Sequence, residues 1–384
     1  MIKRDKVYYI GFSPINGICN ELFFEGSITM YPNNEKGNIF LSNQLIEDDR
    51  SDVAVQKFRQ FVFEKVEELL SFDPTIKFLI FNDKERTKQI CSFINKENII
   101  PGNSFKVLEY LNNKEKIRTK FQGIIPMLDY NWKNGYELDT PFINNVLKQK
   151  GKIVVQGEVG AGGNNTYLIQ KIEDFNKIEI LNNTRYCLSE YKPNTPINIT
   201  IVVGKDIILF PMSVQLIKNE NGRFIYKGAD FTYPKHFDSH LKKCIREYSL
   251  TIANKVKDIG YRGILGIDFI VDSQQNVYFM ELNPRFQASS FYLSRRLESL
   301  TGFNLAFLHY LSLINERFPK FNLKLIDEVQ GSFLNCNSET ESIAIPHDSE
   351  IRNGYFPQLK ASIYRKLYNA SIVKVDNFEK TEIN

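Results

Sequence analysis

Apolar residues recur along this chain with two periods, one near 3.6 and one of 2, and their order outlines a fold. Residues 6–12 (KVYYIGF) form a short apolar run that ends in a loop holding Pro14 and Gly17, which predicts a β-strand. In 52–71, Val55, Phe58, Val62, Val66 and Leu69 fall at steps of three and four, the buried face of a helix. KFLIF at 77–81 predicts a short buried strand, and 84–97 a second amphipathic helix. Strand–helix–strand–helix order predicts a small α/β layer with a parallel sheet, ending near Gly102.

Helices are predicted from about 113 to 121 and from 141 to 150, after which the texture changes. Runs rich in β-branched residues at 153–157, 166–169, 186–191, 198–204 and 206–217 predict strands. A long helix follows over 236–259, with Ile245, Tyr248, Ile252, Val256 and Ile259 on its buried face. Two more strands (264–272 and 277–283) precede helices near 289–301 and 303–318, and beyond about 325 the pattern weakens. No internal repeat or low-complexity segment is present.

Composition narrows the class. The 384 residues exceed one compact domain of about 100–200, so two or three lobes are expected. Lys and Arg outnumber Asp and Glu by 49 to 45, a net +4 that is too small and too scattered for a nucleic-acid surface. Five distant cysteines (Cys19, Cys91, Cys187, Cys244, Cys336) without a CxxC pair, and four histidines, argue against a disulfide framework and a structural zinc site. The first residues do not read as a signal peptide, and no run approaches about 18 apolar residues. A cytoplasmic protein with no membrane partner is expected.

The strongest chemical signal is 263-GILGIDFIVDSQQNVYFMELNPRFQAS-289, two apolar strands around the polar turn Ser273–Asn276. A four-residue turn sets Asp268 directly opposite Glu281, with Cβ atoms about 5 Å apart. Two carboxylates so placed repel unless a cation lies between them. Side chains alternate faces, so Asn283 and Arg285 share the face of Glu281, while Ile267, Phe269, Val271, Tyr278, Met280 and Leu282 form the core face. All-oxygen ligands suit a hard cation such as Mg2+, and the arginine can grip a phosphate or carboxylate with two hydrogen bonds. The competing reading is a solvated face of an edge hairpin.

Three further segments carry candidate chemistry. In 153-IVVQGEVGAGGNNTYLI-169, Gly157, Gly160, Gly162 and Gly163 lie between two strands. Glycines let backbone N–H groups converge on an anion, although a flexible hairpin has the same composition. The loop is not a P-loop, since no GK[ST] ends it. Glu190 closes a strand before a proline-containing connection, a natural place to meet a purine edge or simply an exposed position. Lys227, in 225-IYKGADF-231, is either a phosphate contact or a surface lysine.

The order of these segments resembles the ATP-grasp superfamily, in which an N-terminal α/β domain precedes a lysine-bearing helix, a Gly-rich loop, a hinge glutamate and a metal hairpin ending E-x-N-P-R. The matching positions are Lys114, Gly157–Gly163, Glu190, Asp268 and Glu281-Leu-Asn283-Pro-Arg285, and the likeness spans roughly 105–320. More narrowly, Val-Val-Gln156, Pro211-Met-Ser-Val-Gln-Leu216 and Gly228-Ala-Asp230-Phe are similar to natural-product peptide ligases of the pheganomycin type.

The resemblance implies an α/β and α+β architecture. A Rossmann-like pre-ATP-grasp domain would span 1–104, an ATP-grasp domain 105–325 with a central lobe at about 140–195 and two lobes enclosing ATP, and a small C-terminal extension 326–384. It implies ATP and Mg2+, or Mn2+ in its place, as cofactors. Lys114, or Lys116 in its stead, would contact nucleotide phosphates, and the amides of Gly160 to Gly163 would cover them. Glu190 and the backbone at Tyr191 would read adenine. Asp268, Glu281 and Asn283 would hold the metal, and Arg285 would steady the reacting acyl group. Gln156 stands where many relatives place a lysine, and Lys227 is the expected compensating cation. Gly266 stands where some relatives have an arginine. The implied reaction joins a small carboxylic acid or amino acid to an amine or peptide through an acyl phosphate; homodimers are common in the superfamily. A carboxylate–thiol ligase loading a carrier protein or coenzyme A, and a non-catalytic nucleotide-binding regulator, are the alternatives.

Overall fold

A computed structural model describes residues 6–11, 24–30, 38–41, 52–80, 85–158, 165–220, 222–320, 322–327, 329–336, 343–344, 355–367 and 370–382. At the N-terminus four parallel strands lie in the order Asn38–Phe40, Gly26–Thr29, Val7–Gly11, Lys77–Ile80. The helix Asp52–Phe72 lays Ala54, Phe58, Val62 and Val66 on this sheet, against Ile10, Ile28 and Phe78, and Val55 is buried as well. The second helix covers only Glu85–Phe93, shorter than its periodicity suggests. The strands GSIT and NIF, on one side of Val7–Gly11, are too short to stand out as apolar runs and were not anticipated.

Two short helices lead into the second half, Phe105–Asn112 and Lys114–Phe121. The first was not foreseen. Asn113 divides them: it leaves helical geometry, and its side-chain oxygen accepts the Lys116 N–H at 2.9 Å, capping the second helix. Ile117 and Phe121 pack with Ile267, Phe269 and Phe279 in the core beneath the hairpin that carries Asp268 and Glu281, and Phe121 meets the Phe279 ring edge-on at 5.6 Å.

A second sheet follows. Its described path runs Val277–Asn283, Gly263–Asp272, Asn194–Val203, Ile207–Glu220, Arg223–Asp230. Arg223 also pairs with Tyr167, which joins this path to a four-stranded patch of Tyr130–Asn134, Arg185–Glu190, Ile153–Gly157 and Thr166–Ile169. That patch turns one face to its own core, where Ile153, Val155, Tyr186 and Leu188 meet Ile143 and Leu147 of the helix Thr140–Lys150. Its other face carries Val154, Gln156, Cys187 and Ser189, which alternate with the core residues along each strand.

The segment beyond 325 does not lack structure. Ser332–Cys336 pairs with Gly228–Asp230 and continues through Ala370–Glu382 to Tyr355–Leu367, extending the sheet. Among the described residues no helix is long and apolar enough to cross a membrane.

Candidate functional site

The hairpin Gly263–Asp272 and Val277–Asn283 sets Asp268 opposite Glu281, the pairing read from the sequence. It arrives there by a different route. Val271 faces Val277, so the register from the turn is one residue short of that expectation, and a bulge between Asp268 and Phe269 restores it. Met280 is the extra residue. The core face on the second strand is therefore Val277 and Phe279, at 5% and 1% exposure, rather than Tyr278 and Met280, which are partly exposed. The Tyr278 hydroxyl instead donates to Asp272 at 3.1 Å and meets the Lys192 ammonium at 3.0 Å.

Asp268 sits among carboxamides. Asn198 and Gln215 donate to its Oδ1 at 2.7 and 2.8 Å, and Asn283 donates to its Oδ2 at 3.0 Å. Asn283 also donates to Glu281 at 3.3 Å, and its own carbonyl accepts from Arg285 at 3.3 Å. Lys114, at the start of its helix, reaches Glu281 Oε2 at 3.1 Å. Burial and the neighbouring charge of Glu281 push Asp268 well above the carboxylate range, with the hydrogen bond from Asn198 and, less, the charge of Arg285 only partly offsetting them. Burial would also raise Glu281, but the Lys114 ammonium, with the hydrogen bond from Asn283 and the charge of Arg285, holds that group below its usual value. The pair is asymmetric: one carboxylate has its cation, the other has amides.

These residues fit a hard divalent cation. Their donor set is two carboxylates and one amide, and their mutual repulsion is the penalty a dication removes. To ligate, Asn283 must turn its carbonyl toward the carboxylates, since here its N–H groups face them. Among the described residues no group of three or more His, Cys, Asp and Glu gathers to hold a metal, and this site itself offers two carboxylates and an amide.

Gly266, opposite Asn283, is not simply vacant. A Cβ there would lie 1.6 Å from Gln287 Oε1, because the Gln287 carboxamide fills that space and accepts from Asn198 at 3.0 Å. A carboxamide thus stands where an arginine had been the expectation for some relatives.

Other candidates divide. Glu190 accepts the Asp129 N–H at 3.3 Å, and the Tyr191 N–H donates to the Lys152 carbonyl at 3.1 Å, so both are already engaged at the strand end. Lys116 is exposed and contributes its backbone N–H to the helix cap. Lys227 is 9% exposed and occupies a bulge, skipped between the Leu216–Gly228 and Ile217–Tyr226 pairs. Beside it, Tyr226 is close enough for the charge of Asp268 to reinforce the upward shift that burial gives its hydroxyl. Gly160, Gly162 and Gly163 lie outside the described residues.

One residue escaped the sequence reading. Arg118, one turn after Lys114, is 4% exposed and lies against Gln156 and Cys187 on the open face of the four-stranded patch. Its i, i+4 spacing from Lys114 was visible, but its partners lie 38 and 69 residues away.

Paired carboxylates on a strand hairpin, a lysine from a preceding helix, and a small sheet facing them are the parts of an ATP-grasp fold. Residues 127–289 match the family model described as an ATP-grasp domain, and the chain has that mixed α/β fold. Solved structures similar in fold include N5-carboxyaminoimidazole synthetase from Staphylococcus aureus complexed with ADP. It is 13% identical with a TM-score of 0.60, over 97% of this chain and 92% of that one. Biotin carboxylase from Campylobacter jejuni, as a β-γ-ATP complex, is similar at 13% identity and a TM-score of 0.62, over 98% and 87%. The biotin carboxylase domain dimer of Hydrogenobacter thermophilus 2-oxoglutarate carboxylase, with MgADP, ADP and bicarbonate, matches at 13% identity and 0.60, over 99% and 91%. No curated protein matches the chain by sequence.

Proposed function

We propose that this protein is an ATP-dependent carboxylate–amine ligase that forms an amide or peptide bond, with an amino acid or similar small acid as one substrate. The observation that carries the reading is the facing pair Asp268 and Glu281, with Asn283 and Arg285 beside them and Lys114 on Glu281. Relatives in fold that were solved with ADP, ATP or MgADP support the nucleotide half of it.

A carboxylate is a poor electrophile because it would have to expel oxide. Transfer of the γ-phosphoryl group of ATP to a carboxylate oxygen releases ADP and creates a phosphate leaving group. The amine nitrogen then attacks the acyl carbon, phosphate departs, and the nitrogen loses a proton. Asp268, Glu281 and Asn283 would hold Mg2+, which supplies charge neutralisation at the phosphate oxygens. With Glu281 serving as a metal ligand, Lys114, which here pairs with it, would turn toward the nucleotide phosphates. Arg285, anchored on the Asn283 carbonyl, orients the acid with its remaining N–H groups.

The test is a panel of small acids with amine or thiol acceptors, followed by ADP and phosphate release in the presence of MgATP. ADP, phosphate and an amide in equal amounts support the reading. Turnover only with thiols makes the protein a carboxylate–thiol ligase, and AMP with pyrophosphate excludes the mechanism. Nucleotide binding without turnover across the panel favours a regulator.

A further inference from the structure

Arg118 is a buried charge without a counter-ion. The residue is 4% exposed, and no carboxylate pairs with it among the described residues. The nearest acid on its own helix, Glu115, is taken by Arg185, whose Nε lies 2.6 Å from Glu115 Oε2. What surrounds the Arg118 guanidinium is neutral: Cys187 Sγ at 3.0 Å, Gln156 Oε1 at 3.3 Å, and the Tyr130 ring with its centroid 5.4 Å away. Its Nε is buried and has no hydrogen-bond partner among the described residues. A charge so placed loses its hydration uncompensated unless an anion answers it.

Its position says which anion. Gln156 and Cys187 are register partners on the face of the patch that turns away from its own core. Lys114 lies one turn earlier on the same side of the helix and touches the opposite wall at Glu281. The two cations thus form a stripe across the cleft, from the carboxylate hairpin to the strand that leads into the Gly-rich segment. Gln156 is itself fixed, since its Nε2 donates to Thr166 at 3.4 Å, which leaves Oε1 to aim the guanidinium.

We propose that Arg118 grips the polyphosphate of the bound nucleotide from the sheet side of the cleft, with Gln156 and Cys187 holding its guanidinium in place. The role expected of Lys227 then falls to a residue on the lysine-bearing helix. This assignment rests on the nucleotide-dependent reading above.

Equilibrium binding of adenosine, AMP and MgADP to the full chain tests it without any knowledge of the acid or amine. Arg118→Gln should weaken MgADP about 10- to 100-fold, the value of one charge-assisted contact, and leave adenosine unchanged. Gln156→Glu keeps the arginine but places a carboxylate against it. It should weaken MgADP in the same direction and preserve the fold even where Arg118→Gln is unstable. Gln156→Lys in the Arg118→Gln background should recover part of the loss. Equal loss of adenosine and MgADP, or MgADP binding unchanged in both single variants, overturns the assignment while the nucleotide-dependent reading stands. Failure of the unaltered protein to bind MgADP overturns both.

Discussion

Asp268→Asn should make the metal-free protein more stable while removing its response to metal. Two unit charges about 5 Å apart at an effective dielectric of about 20 repel by roughly 3 kcal/mol, and Lys114 offsets part of this through Glu281. The substitution keeps an oxygen for the donors on Oδ1, Asn198 and Gln215. It turns Oδ2 into an amide facing the Asn283 N–H groups 3.0 Å away, a clash of donors that costs about 1 kcal/mol unless Asn283 rotates. The net gain is about 1–2 kcal/mol. Because burial and Glu281 raise the folded-state pKa of Asp268, its cost is full above that pKa and fades as acid protonates it, so the gain is largest at alkaline pH. Denaturant unfolding in EDTA near pH 8 measures the first effect, and repeating it with Mg2+ or Mn2+ measures the second. A variant that is less stable in EDTA, yet gains as much from Mg2+ as the parent, would refute the reasoning.

Three further outcomes follow from the same structure. Phe279→Ala, at a side chain 1% exposed between Phe121 and Phe269, should cost about 3–5 kcal/mol of stability by denaturant unfolding. His309, whose Nδ1 accepts the Ile264 N–H at 3.1 Å, is held neutral by burial with its pKa lowered to about 4. Its contribution is complete above pH 6.5 and declines as pH falls toward 4, a loss of about 3 kcal/mol that unfolding curves for His309→Gln should not show. Gly266→Ala should displace the Gln287 carboxamide and break its bond from Asn198, lowering Mg2+ affinity more than adenosine affinity in equilibrium binding.

The face-to-face carboxylates were legible in the sequence because two apolar strands and a polar turn fix a register, and alternation then assigns faces. The bulge at Met280 was not, since it shifts the register from the turn and then restores it, leaving the pairing of Asp268 unchanged. Helices such as Asp52–Phe72 were legible because five apolar residues share one face. Strands of three or four residues, such as GSIT and NIF, carry too few side chains for a period to emerge. The strand YNWKN was missed because its residues are polar and half-exposed, so only its pairing with Arg185–Glu190 defines it. Arg118 looked like one more helix cation; its burial comes from strands distant in sequence. The sequence reading offered Lys227 as the cation compensating for Gln156; Arg118 was passed over because only the folded chain brings it against that side chain.

The most direct test is calorimetric titration of ADP into the unaltered protein and into Asp268→Ala, each with Mg2+ and again with EDTA. The account predicts binding that depends on Mg2+ in the parent, and a variant in which adding Mg2+ no longer strengthens it. ADP binding equally well in EDTA, or a variant with undiminished Mg2+ dependence, would contradict it.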